Sequence, residues 1–241
     1  MSASEIVSTL RSMRLAGMAD SFELQMSNRA YDDLSCEEII GNMCIAQKQH
    51  NADRFLQTLK SKARFRHSAQ PEDIIWDASR GLDKPSVRAL LSADWVIRTE
   101  NLLLSGAAGT GKSWLGCALG YAAIRAGLAV RYFRTNLMLE ELRRGHVDGS
   151  IGKLRKALLT PRLIILDDFG IAPIPEASKE DLFELLESRC DNGSIMIIGQ
   201  LAPIEWHSFL DTSHMADAMM DRIVQRAHSV ELKGDSLRKR L

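Results

Sequence analysis

An α/β fold, a parallel sheet with helices on both faces and an all-helical domain ahead of it, is what this chain predicts. Three observations lead there. After Glu100, short apolar runs alternate with helical stretches. A glycine-rich G-x-x-x-x-G-K-S stretch lies between the first of these runs and a helix. Before about residue 67 the periodicity is helical and no strand signal intrudes.

In the leading region Ile6, Leu10, Met13 and Leu15 recur at roughly helical spacing, followed by Phe22 and Met26 and then by Ile39, Ile40, Met43, Ile45, Phe55, Leu56 and Leu59. Ser35-Cys36-Glu37-Glu38 is a capping-box pattern and predicts a helix start near Ser35. Residues 1–67 are therefore expected to form a helical domain that contacts DNA or a partner. Its end carries Lys60, Lys62, Arg64 and Arg66, with Phe55 and Phe65 interleaved. Such a run is either a solvated helix face or a surface for nucleic-acid phosphates.

Residues 68–100 read as a linker docked on the core and counted with the second domain, 68–241. Pro71, Gly81 and Pro85 punctuate it, Ser86 to Leu91 is a short helical piece, and Trp76 and Trp95 are expected as packing anchors. The strand-like runs are Leu102 to Leu104, Val130 to Phe133, Leu163 to Leu166, Ile195 to Ile198 and Val230 to Leu232, several continuously apolar, as strands buried on both faces must be. Ligands of such a sheet bind at the carboxyl ends of the strands.

The stretch Gly106-Ala107-Ala108-Gly109-Thr110-Gly111-Lys112-Ser113, followed by Trp114, is a phosphate-binding loop. Its glycines let successive N–H groups turn inward on phosphate oxygens at a helix N-terminus. Lys112 reaches the outer phosphates and Ser113 offers its hydroxyl to Mg²⁺, a cation that keeps most of its waters. The ligands expected at this loop are a nucleotide and Mg²⁺.

Leu163-Ile164-Ile165-Leu166-Asp167-Asp168 places two carboxylates at the end of a buried strand beside that loop. Asp167 is assigned to the metal and Asp168 to the attacking water. Gln200, at the end of another strand, has an amide able to touch the γ-phosphate or that water. Arg222 and Arg238 are each candidates to neutralise charge on the transferred phosphoryl group.

Composition bounds the function. Lys and Arg together number 31 and so do Asp and Glu, so any nucleic-acid contact must come from local patches rather than global charge. No apolar run reaches bilayer length and the opening Met-Ser-Ala-Ser-Glu is no signal-peptide n-region, so no membrane contact and a cytoplasmic location are expected. Cys36, Cys44, Cys117 and Cys190 are too scattered for a metal site and are expected as reduced, mostly buried thiols.

In order along the chain come Leu15-Ala16-Gly17-Met18-Ala19, Ala63-Arg64-Phe65, Arg80-Gly81-Leu82-Asp83, Asp94-Trp95, the phosphate loop, Leu166-Asp167-Asp168-Phe169-Gly170, Glu205-Trp206, Asp221-Arg222 and the ending Glu231 to Arg238. This order resembles the IstB-like transposition helper ATPases, AAA+ proteins of the IstB/DnaC type, over nearly the whole chain. The resemblance implies an AAA+ core, with Gln200 at the sensor-1 position, Arg222 as an arginine finger reaching a neighbouring subunit's ATP, and Arg238 as the sensor-2 arginine. It therefore implies a homo-oligomer with ATP at subunit interfaces. The acid pair is Asp-Asp where many AAA+ proteins have Asp-Glu.

Asn136 to Thr160 looks like an extra helical segment carrying Arg143, Arg144, Lys153, Arg155 and Lys156. In the initiator and loader branch that the chain resembles, helices inserted here face nucleic acid, so these groups are candidates for backbone contacts that do not read sequence. The expected activity is ATP hydrolysis, stimulated by DNA or a partner, in a protein that assembles on duplex DNA and assists the transposase encoded by the same element. The alternatives are a replicative helicase loader, a P-loop small-molecule kinase and a non-hydrolysing ATP-gated scaffold.

Overall fold

A computed structural model of the 241-residue chain describes residues 1–29, 32–210 and 214–237. They form two compact units, Met1–Thr58 and Leu59–Leu241. In the first unit α1 (Ala3–Ser12) packs on α2 (Ala16–Ser27), which meets α3 (Cys36–Ala63) through Gly17. A Cβ on Gly17 would come within 2.7 Å of the Ala46 carbonyl oxygen, so only glycine allows this approach. Polar groups in that contact are matched: the Gln47 side chain accepts from the Met18 amide at 3.1 Å, and buried Gln25 donates to the Ile39 carbonyl at 3.3 Å. The capping box expected at Ser35 is present, with Glu38 accepting from the Ser35 amide and Ser35 accepting from the Glu38 amide. α3 continues past Thr58 into the second unit.

The second unit holds five described strands, β1 (Asn101–Gly106), β2 (Val130–Arg134), β3 (Leu163–Phe169), β4 (Ser194–Gly199) and β5 (Ala227–Leu232), in the order β2-β3-β4-β1-β5. Every pairing is parallel. All five apolar runs became strands. The acid pair on β3 lies two strands from β1, with β4 between them. Chain order cannot reveal this, because helical crossovers let a later strand insert between earlier ones.

Alternation along the strands divides the core. Leu103, Ile164, Leu166, Ile195 and Ile197 face a layer built by α7 (Thr135–Asp148), α8 (Ile151–Leu159), α9 (Glu176–Arg189), α10 (Pro203–Leu210) and α11 (His214–Val224). The opposite face receives α6 (Lys112–Arg125), with α4 (Lys84–Leu91) packed against α6 and α5 (Asp94–Ile97) against α4. α6 lies close because Gly116 and Gly120 leave room for Ile198 and Ile165; a Cβ at either would approach those side chains to 2.4 and 2.8 Å.

Arg189, 1% exposed, donates to the carbonyls of Leu158, Pro161, Arg162 and Ser194, joining the end of α8 to the starts of β3 and β4. Burial brings its guanidinium pKa down to about 10. Asn101 does similar work at the start of β1: its amide donates to the Arg222 and Ile223 carbonyls of α11 and accepts from the Ile195 amide of β4. Replacing Asn101 by Ala should cost about 2 kcal/mol and lower the melting transition of this unit by roughly 4–8 °C. An unchanged transition would show that water replaces all three bonds at no net cost.

Two packing expectations also change. Trp95 is 2% exposed, with its indole N–H on the Leu90 carbonyl, but Trp76 is 36% exposed and lies beneath the Lys84 ammonium rather than in the core. All four cysteines are free, yet Cys36 and Cys44 are exposed and only Cys117 is buried. Cys36 and Cys44 lie on solvent-facing positions of α3, whose covered face is narrow along much of its length.

Candidate functional site

The phosphate loop is shaped by its glycines. Gly106 has φ +135°, and a Cβ there would lie 2.1 Å from the Leu232 carbonyl oxygen of β5. Gly109 and Gly111 are also left-handed, Gly111 standing immediately before α6. Amides of the loop and of the first turn of α6 thus converge at a helix N-terminus, a favourable place for anionic phosphates. Lys112 is 8% exposed and its ammonium donates to the Gly106 and Ala107 carbonyls, each at 2.6 Å. The loop is also gripped from outside: Arg80 donates to the Thr110 carbonyl at 3.0 Å, and the Leu237 amide to the Gly109 carbonyl at 3.0 Å.

A cavity of about 490 Å³ opens over the loop, lined by Ala108, Gly109, Gly111, Lys112, Ser113 and Trp114. From the strands it takes in Asp167 and Asp168 of β3, Ile198 and Gly199 of β4, and Gln200 just beyond. The structure thus brings together the lysine, the hydroxyl, both acids and the glutamine that the sequence singled out, although β4 stands between the two halves. Gly106, Ala107 and Thr110 support the loop and are not among the lining residues.

The two acids have different settings. Asp167, 1% exposed, accepts from the Tyr132 hydroxyl at 2.5 Å and from the Asp168 amide at 2.8 Å, while Thr135 donates to its backbone carbonyl at 2.9 Å. Burial, then the Asp167 carboxylate, holds the Tyr132 phenol well above its ordinary pKa, so it stays a hydrogen-bond donor. Asp168 has φ +60° at an irregularity in the β3–β4 register, a backbone state costing on the order of 1–3 kcal/mol for a non-glycine residue. That turn aims its carboxylate at two guanidinium groups, Arg134 at 2.9 Å and Arg66 at 3.4 Å. Phe169 immediately after it is wedged between Trp206 and Phe209, with ring centroids 5.1 and 5.6 Å away, which anchors the strained strand end.

Ser113 and Asp167 present hard oxygen donors to one cavity, a set suited to Mg²⁺, which takes few protein ligands. Among the described residues no group of three or more His, Cys, Asp or Glu could hold a metal by itself.

Arg222 is not among the lining residues. On α11 it pairs with Glu187 of α9, donates to the Ala218 carbonyl at 3.1 Å and lies over the Phe183 ring at 5.5 Å. Arg238 lies outside the described residues. Of the basic candidates, Lys62, Arg64, Arg143, Arg144, Lys153 and Lys156 are exposed, Lys60 stands over the Tyr121 ring at 5.0 Å, and Arg155 is engaged by Glu184 and Asp181. Arg66, grouped with the basic run, instead lines the cavity.

The family model described as IstB-like ATP binding protein matches residues 8–241. The chain belongs to the IstB-like ATP-binding family. An insertion-sequence ATP-binding protein of Sinorhizobium fredii is 37% identical over 239 residues, covering 99% of this chain and 98% of that one. Among solved structures the DnaC helicase loader superposes with a TM-score of 0.60 at 18% identity, over 70% of this chain and 99% of its own. AMPPCP-bound DnaA from Aquifex aeolicus gives 0.60 at 20% identity, over 71% and 52%. At such identities the likeness is one of fold, and that fold is the AAA+ P-loop core.

Arg134, His67, Arg80 and Leu237 also stand at or against the cavity and were not singled out as site residues. Arg134 ends β2, the sheet neighbour of β3, so its role depends on the strand order that the sequence did not disclose. For Arg80 the only signal was the Arg80-Gly81-Leu82-Asp83 motif.

Proposed function

We propose that the protein is an ATPase whose homo-oligomer assembles on duplex DNA, serves the transposase of the same insertion sequence, and uses hydrolysis to time release. The observation that carries the ATPase reading is the convergence of Lys112, Ser113, Asp167, Asp168 and Gln200 on one cavity. Lys112 and the loop amides hold the β- and γ-phosphates, and Gln200 and Asp168 orient the attacking water. When bound through Ser113 and Asp167, Mg²⁺ neutralises phosphate charge.

Oligomerisation is supported by the position of Arg222, which is outside its own cavity and partly exposed, as a finger acting on a neighbour's nucleotide must be. The exposed arginines and lysines of α7 and α8, together with the basic end of α3, supply a DNA-backbone surface. The DNA and transposase roles draw on the relatives, whose names place them in insertion sequences. No helix of the described residues is long and apolar enough to cross a membrane.

Light scattering tests the reading: ATP, Mg²⁺ and a duplex of several helical turns should give a large complex that ADP does not support. A particle monomeric in every condition would overturn it. A complex that forms only with single-stranded DNA and a replicative helicase would favour a loader instead.

Within the site, Asp168→Asn should leave ATP bound but lower single-turnover hydrolysis by about 100-fold, because the amide cannot take the water's proton. Hydrolysis at the wild-type rate would remove Asp168 from the water's position.

A further inference from the structure

The cavity holds an arginine that the reading above leaves without a task. Arg66 follows the end of α3 by three residues, and it enters the cavity because the chain turns sharply at Arg64, whose φ is +55°. The stretch leading to it is fastened to the ATPase core. Arg131 of β2 donates to the Lys62 carbonyl at 2.7 Å, Phe65 packs where even a Cβ on Gly120 of α6 would meet its ring at 2.9 Å, and Lys60 stands over Tyr121. A change at Arg66 is therefore felt by the last turn of α3.

Asp168 does not need Arg66. The closer Arg134 already pairs with the same carboxylate oxygen at 2.9 Å, and the Arg66 contact, at 3.4 Å, is too long for a strong charge-assisted bond. The Arg66 side chain is 38% exposed, so it has room to turn. The cavity lining places Lys112, Arg66 and Arg134 against only two carboxylates, Asp167 and Asp168. A terminal phosphate entering that space carries more charge than a carboxylate already shared with Arg134, and its oxygens match a guanidinium fork.

We propose that Arg66 is a contact, within the same subunit, to the terminal phosphate of the bound nucleoside triphosphate. On this assignment ATP draws Arg66 away from Asp168 and ADP leaves it there, so residues 59–67 adopt a nucleotide-dependent arrangement that is passed to the end of α3. The inference rests on ATP's phosphates lying in the loop. It differs from the role of Arg222 in using the chain's own arginine, placed ahead of the sheet.

The test is titration of a non-hydrolysable ATP analogue and of ADP, each with Mg²⁺, into wild type, Arg66→Gln and Arg66→Lys. Arg66→Gln should weaken the ATP analogue at least tenfold while changing ADP less than twofold, and Arg66→Lys should recover most of the loss. In parallel, amide hydrogen exchange across residues 59–67 should differ between the two nucleotides in wild type and not in Arg66→Gln. Equal losses for both nucleotides would assign Arg66 a structural role and overturn the proposal, as would an unchanged preference for the triphosphate. If wild type bound neither nucleotide, the placement of ATP in the cavity would be what had failed.

Discussion

Lys112→Ala is expected to weaken ATP binding at least 100-fold, about 2.7 kcal/mol, and with it to abolish every ATP-dependent DNA complex. The ammonium is nearly buried and is satisfied by the loop's own Gly106 and Ala107 carbonyls, so it is already positioned at the mouth of the loop. A phosphate offers the same group a full negative charge, so bonds that are charge-assisted from the donor side alone give way to bonds between two ions. Alanine removes the positive charge as well as the ties that close the loop. Calorimetric titration with ATP and Mg²⁺, on protein checked for an intact melting transition, measures the effect. Binding within threefold of wild type would mean that the loop amides alone hold the nucleotide.

Arg222→Ala should lower hydrolysis about 1000-fold while leaving ATP affinity nearly unchanged, because a finger acts on charge that develops in the transition state. Fold stability should barely move. The Arg222–Glu187 pair is exposed, with side chains 28% and 51% accessible, and such pairs contribute little. Reaching another subunit requires Arg222 to leave Glu187, and the small worth of that pair makes the exchange easy. A mixing experiment separates action on a neighbour from action in place. Lys112→Ala and Arg222→Ala proteins, each inactive alone, should regain activity when combined, since an Arg222→Ala site can borrow the arginine of a Lys112→Ala neighbour. Equal hydrolysis in Arg222→Ala would show that Arg222 is no finger, and failure of the mixture to recover would place it in its own subunit's site.

The parts of the site legible in the sequence share a physical reason. The loop from Gly106 to Ser113 and the run ending at Asp167 and Asp168 are local chemistry: backbone conformations and strand ends that neighbouring residues dictate without reference to the rest of the chain. The capping box at Ser35 and the five apolar runs were readable on the same grounds. Arg66 shows where this stops. In sequence it belongs to a basic run near the end of a helix, and only the turn at Arg64 and the packing of Phe65 on Gly120 carry it into the nucleotide cavity.

The sequence by itself determined that the chain is a parallel α/β nucleotide-binding protein of the IstB-like family with a helical region ahead of the core, because periodicity, glycine placement and motif order are properties of short segments. Tertiary structure alone decided that β4 separates the loop from the acids, that Arg134 and Arg66 share Asp168, and that Arg80 and Leu237 brace the loop. These contacts join residues 30 to more than 100 positions apart. They depend on how crossovers stack on a common core, a balance of buried area and chain entropy spread over the whole unit that no single segment records.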